Sequence, residues 1–158
     1  MRKSRCSVNL AAPIIGLAGL AALGVSASAR AELGGQMSRQ TTSAGAPQTL
    51  FNGALRMRTS IDAGSTTINE YATSAGRIVA YTWAGPTMPD LRALLGNYAD
   101  SYQTGAAAQV AAGNGNLHAS RVARPDVIVE SGGPMRSYVG RAWLPAGLPP
   151  GIAADDLQ

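Results

Sequence analysis

Glu70 and Glu130 are the residues of this chain with the clearest claim to acid–base chemistry. Each falls in a stretch that reads as a β-strand. Were those strands neighbours, the two carboxyls would approach the spacing at which one acid, kept protonated by burial, and one carboxylate cleave a glycosidic bond. The plainer reading is structural, with each glutamate paired to an arginine such as Arg77, Arg136 or Arg141 across the sheet. His118, the single histidine, adjoins the pliable run Gly113-Asn114-Gly115-Asn116. A Ser-His-Asp triad would have to use it, oriented by Asp100 or Asp126, and no G-x-S-x-G elbow supplies the serine. One histidine and one cysteine, Cys6, cannot build a zinc site of three or four N or S ligands. Asp155-Asp156 alone fall short of the six or more oxygens of a calcium site. Gly132-Gly133 leads into Pro134 and a strand, whereas a phosphate cradle leads into a helix. Arg56 and Arg58, at i and i+2, offer bidentate capture of a carboxylate or phosphate, or simply a solvated strand face. The sequence therefore assigns no catalytic, cofactor-binding or metal residue, and no cofactor.

The elements that must position these groups are few. Ala54 to Ile61 alternates, with Leu55, Met57, Thr59 and Ile61 opposite Arg56, Arg58 and Ser60, the pattern of a half-buried strand. Thr66 to Thr73 and Arg77 to Trp83 read as a hairpin turned at Ser74-Ala75-Gly76. Because Arg77 to Trp83 is apolar on both faces, it should be an interior strand with something packed above it. Thr87-Met88-Pro89-Asp90 opens a helix, with Thr87 as its cap, that runs to about Thr104 and stops at Gly105. Its stripe of Leu91, Leu94, Leu95, Tyr98 and Tyr102 should lie on the sheet. Asp126 to Glu130 and Met135 to Trp143 form a second hairpin. The expected fold is α+β: an antiparallel sheet of about five strands, one main helix packed on it, and loose ends.

Residues 1–31 point to export. Met1-Arg2-Lys3-Ser4-Arg5, the apolar run Leu10 to Val25 and the small-residue exit Ser26 to Ala31 are the three regions of a secretory signal peptide, with cleavage after Ala31. The run is shorter than the roughly 20 residues that span a bilayer, so contact with a membrane is expected only through this segment before it is cut. Arg2, Lys3, Arg5 and Arg30 carry the whole excess of 13 cations over 9 acids. The high pI is thus no argument for nucleic acid, which needs clustered charge in the working protein. Cys6 leaves with the same segment, and with it any disulfide. The mature chain beyond Ala31 has the length of one domain. It divides into a Ser-, Thr- and Gln-rich arm at 32–49, a core at 50–143 holding all eight aromatics, and a proline-rich tail at 144–158.

Asn69-Glu70-Tyr71, Gly76, Trp83-Ala84-Gly85-Pro86, Pro89-Asp90-Leu91, Leu94-Leu95-Gly96-Asn97-Tyr98, Val129-Glu130-Ser131-Gly132-Gly133, Gly140-Arg141-Ala142 and Leu148-Pro149-Pro150-Gly151-Ile152, in that order and followed by Asp155-Asp156, resemble the family catalogued as domain of unknown function 2844. The resemblance covers nearly all of the chain after the signal segment. It implies a small exported protein of proteobacteria and carries no established activity. The functional expectation is a noncatalytic binding or envelope-associated module in the periplasm or outside the cell. Its partner would be another exported protein or a cell-envelope component, met through Trp83, Gly85, Pro86 and Trp143. A small envelope hydrolase using Glu70 and Glu130, and an accessory subunit docking through its ends, are the alternatives.

Overall fold

Six consecutive residues from Ile78 to Trp83 are buried on both sides of their strand, and that strand is the middle of a seven-stranded sheet. The computed structural model describes residues 31–38, 45–114 and 119–157. Residues 1–30 of the expected signal segment at 1–31, His118 and part of the arm lie outside them. The strands are β1 (Gln48–Leu50), β2 (Leu55–Ile61), β3 (Thr67–Thr73), β4 (Ile78–Gly85), β5 (Ala119–Ala123), β6 (Ile128–Gly132) and β7 (Tyr138–Trp143), in the spatial order β1-β2-β3-β4-β7-β6-β5. Every pairing is antiparallel. Two meanders, β1 to β4 and β5 to β7, therefore meet along a single β4–β7 seam. Five strands were expected; the two additional ones, β1 and β5, are the short strands at the edges.

The connection from β4 to β5 crosses one face of the sheet as α1 (Leu91–Leu95), a 3-10 turn at Gly96–Tyr98, and α2 (Ala99–Ala111). The helix begins at Leu91 rather than Thr87, because Asp90 accepts from the Ala93 amide at 3.0 Å and so caps it. Thr87 instead binds Gly64 and Thr66. Gly96, at φ +52°, breaks the helix into two, a conformation that favours glycine. Gly105 does not end it; this glycine is buried where α2 presses on Val122 and Arg124 of the β5 hairpin. Leu95 is fully buried in the first core, with Leu91, Leu94, Tyr98 and Tyr102 packed around it.

The chain ends are not loose where they are described. Leu33 is 2 % exposed in the helix-side core. Its amide donates to Leu94, and Gly34 and Gly35 bond the Ile78 backbone on either side. The C-terminal segment crosses the opposite face, where Leu148, Ile152 and Leu157 pack with Leu55, Tyr71, Val79, Ala80 and Trp143 to form a second core. The prolines bar this tail from the sheet, and its apolar residues pack on the sheet's surface instead.

Candidate functional site

Cross-strand register sorts the polar residues into two rows. Arg58, Glu70, Tyr81, Ala142, Val129 and Val122 stand opposite one another on the helix-covered face. Thr59, Asn69, Thr82, Arg141, Glu130 and Arg121 do so on the other, since neighbouring residues in a strand point to opposite faces. Glu70 and Glu130 are thus on opposite sides of the sheet. They are also three strand spacings apart, about 14 Å, which excludes the paired-carboxylate site expected as one alternative.

Glu70 is buried with Arg58, whose Nη2 donates to Glu70 Oε1 at 2.9 Å. Tyr81 donates its hydroxyl to the other oxygen, and Arg58 Nη1 donates to the Ser38 carbonyl at 2.8 Å. Burial pushes the Glu70 carboxyl above its usual range, against the pull of Arg58 and the two hydrogen bonds. The Tyr81 hydroxyl is raised far above the ordinary tyrosine value by burial and then by the neighbouring Glu70 charge. The Arg56/Arg58 pair is accordingly split in role: Arg56 is exposed, and Arg58 ties the arm at Ser38 to the sheet.

On the second face the charged groups form a ladder. Glu130 takes Arg121 Nε on one oxygen at 2.9 Å and Arg141 Nε on the other at 2.6 Å. Arg141 reaches onward to the tail, donating to the Ala154 carbonyl at 2.8 Å and pairing with Asp155 at 2.6 Å. Burial works against the Arg141 cation, but the bonds to Glu130 and Asp155 outweigh it and hold its pKa above the usual arginine value. The guanidinium also lies 5.3 Å from the Trp143 ring centroid. Beside this ladder Thr59 donates to Asn69 Oδ1, and Asn69 Nδ2 donates to Thr82, which fixes the amide.

Beyond the reach of the tail, the second face forms an open groove of about 650 Å³ among the described residues. Leu157 closes one end, Arg121, Glu130 and Arg141 make one wall, and Ala84, Val139, Gly132 and Ala119 provide a floor of small or apolar groups. No motif or periodicity foretold this groove, because it depends on β5, β6 and β7 lying in register beside β4.

Trp83 and Trp143 are buried, 3 % and 7 % exposed, and belong to different cores on opposite faces. With Gly85 half-buried and Pro86 exposed, these four residues form no common surface. Glu130 has the partner expected in Arg141, while the partner of Glu70 is Arg58 rather than Arg77, Arg136 or Arg141. Asp126 accepts from Ser101 at 2.8 Å, tying the start of the second hairpin to α2. Asp155 serves Arg141. Among the described residues no group of three or more His, Cys, Asp or Glu could hold a metal ion.

Fold and site together define an α+β protein built on one antiparallel sheet, with helices on one face and a groove on the other. The chain belongs to the family described as protein of unknown function (DUF2844), whose model matches residues 27–157. Comparison with curated proteins and with solved structures finds no match for it.

Proposed function

We propose that the protein is exported by a signal segment cleaved after Ala31 and acts, in the periplasm or outside the cell, as a noncatalytic binding module whose site is the groove on the second face. The groove carries this reading. Its volume of about 650 Å³ falls in the range of small-molecule sites, roughly 300–1,000 Å³, and it joins apolar floor to a few fixed polar groups. The charged three-part pattern of residues 1–31 supports the export half. The separation of Glu70 from Glu130 removes the one acid pair that favoured hydrolysis.

Two measurements test it. Cell fractionation with N-terminal sequencing should find Glu32 as the first residue outside the cytoplasm; an intact start in the cytoplasm would end the export reading. Native mass spectrometry of the protein taken from its own cells should show a retained small molecule that Val139→Trp, which fills the groove floor, no longer carries. The same spectrum from both proteins would end the binding reading.

A further inference from the structure

Glu130 holds two arginines, and the two are engaged differently. Arg141 commits all three kinds of nitrogen to the protein: Nε to Glu130, Nη1 to the Ala154 carbonyl and Nη2 to Asp155. Arg121 is held through Nε alone. Its two terminal nitrogens have no partner among the described residues, and its side chain is 62 % exposed at the groove wall. Pairing through Nε fixes the plane of the guanidinium while leaving its outer fork open, the arrangement that receives a carboxylate or phosphate through two parallel hydrogen bonds. The negative charges nearby are already engaged, Glu130 by both arginines and Asp155 by Arg141. Among the described residues Arg121 is therefore the cation left facing the groove, above a floor of Ala84, Val139 and Ala119.

We propose that the groove takes a small amphipathic anion, its apolar body lying on this floor and its carboxylate or phosphate head held in the Arg121 fork. This rests on the binding reading above and specifies the ligand class for the same site. The floor is low on either side of Val139: Gly132 has no side chain, and Ala84 and Ala119 carry one carbon each, so an extended chain or ring edge can lie against the half-exposed Val139 side chain.

The full chain, as its own cells process it, is titrated by calorimetry with dodecanoate, dodecyl phosphate, dodecanol and dodecyltrimethylammonium, all below their micellar concentrations. The two anions should bind at least about tenfold more tightly than the alcohol, with the cation weakest, and the better of the two anions identifies the head group. Shortening the tail should weaken binding by roughly three- to fourfold per methylene. Arg121→Gln should lower anion affinity about tenfold and leave dodecanol unchanged, while Val139→Trp should abolish all binding, both with an unaltered melting curve. Equal affinity for anion and cation, or an Arg121→Gln protein that binds anions as before, overturns the ligand class. If no alkyl probe binds while the protein from cells still carries a molecule that Val139→Trp loses, the class fails and the binding function stands. If neither is seen, both fail.

Discussion

The indole of Trp83 fills the space that a side chain on Gly140, its cross-strand partner, would occupy. The Glu130 carbonyl crowds the same position from the neighbouring strand. Trp83 is 3 % exposed, and its Nε1 has no hydrogen-bond partner among the described residues, so fit alone holds the ring. Gly140→Ala should destabilise the fold by about 1–3 kcal/mol, the usual range for forced overpacking. Urea unfolding followed by tryptophan fluorescence measures this, and an unchanged midpoint would mean the indole has room to move.

Glu70→Ala and Glu70→Gln should differ sharply. Alanine leaves the buried Arg58 guanidinium and the Tyr81 hydroxyl without their shared acceptor, at a cost of about 3–5 kcal/mol. Glutamine keeps the shape and one acceptor oxygen for Arg58 but turns an NH2 donor toward the Tyr81 hydroxyl, which must then accept. Because burial disfavours the charge on Glu70, the change should cost clearly less than alanine, about 1–2 kcal/mol at neutral pH. Thermal melts of the two variants decide this. Equal losses would show that the charge itself, rather than the hydrogen-bond geometry, secures the cluster.

The same carboxyl sets a pH dependence of definite sign. Its folded pKa lies above the ordinary 4.5, so the folded state binds this proton more readily than the unfolded chain does. The stability that this group contributes is complete below about 4.5 and is lost as pH rises through the raised folded value. Relative to Glu70→Gln, the wild type should gain stability as pH falls from about 7 toward about 4. Chemical denaturation of the pair at several pH values tests this, and a constant difference would remove Glu70 as the titrating group.

Leu157 is 5 % exposed and packs in the second core with Trp143. Leu157→Ala should cost about 2–3 kcal/mol and shift tryptophan emission to longer wavelength as water reaches Trp143. A variant with native stability would show that the final turn adds nothing to the fold.

The charge ladder should be strongly graded along its length. Glu130→Ala removes the acceptor of two arginines, one of them only 25 % exposed, and should cost about 2 kcal/mol. Asp155 is 84 % exposed, so Asp155→Asn should change stability by no more than a few tenths of a kcal/mol, about what solvent-exposed pairs contribute. Urea midpoints of both variants, with and without added salt at about 1 M, separate the two cases.

β2 shows itself by alternation and β4 by apolar residues on both faces, and β3, β6 and β7 show themselves as hairpin arms beside Ser74-Ala75-Gly76 or Ser131-Gly132-Gly133-Pro134. Gln48–Leu50 and Ala119–Ala123 do not: an edge strand buries little, so its sequence carries little pattern. Thr87 reads as the cap by type, but it is occupied by bonds with Gly64 and Thr66, which leaves the cap to Asp90. Gly105 read as a stop because a glycine that ends a helix and one that admits a neighbour look the same in one dimension. The faces of Glu70 and Glu130 follow from strand register, yet comparing them requires knowing that β7 lies between β4 and β6. That order is a tertiary fact, and the groove depends on it entirely.

The β4–β7 seam joins Ala80 to Trp143 and Gly85 to Tyr138, residues more than fifty positions apart. β7, which pairs with the middle strand, is thus synthesised after every other strand of the sheet. Until Tyr138–Trp143 arrives, the first meander ends in an apolar strand with an unpaired row of amides and carbonyls, the surface on which chains stack edge to edge. Truncation anywhere before β7 should therefore yield an aggregate rather than a smaller folded protein, and folding of the first meander is bound to the arrival of Tyr138–Trp143.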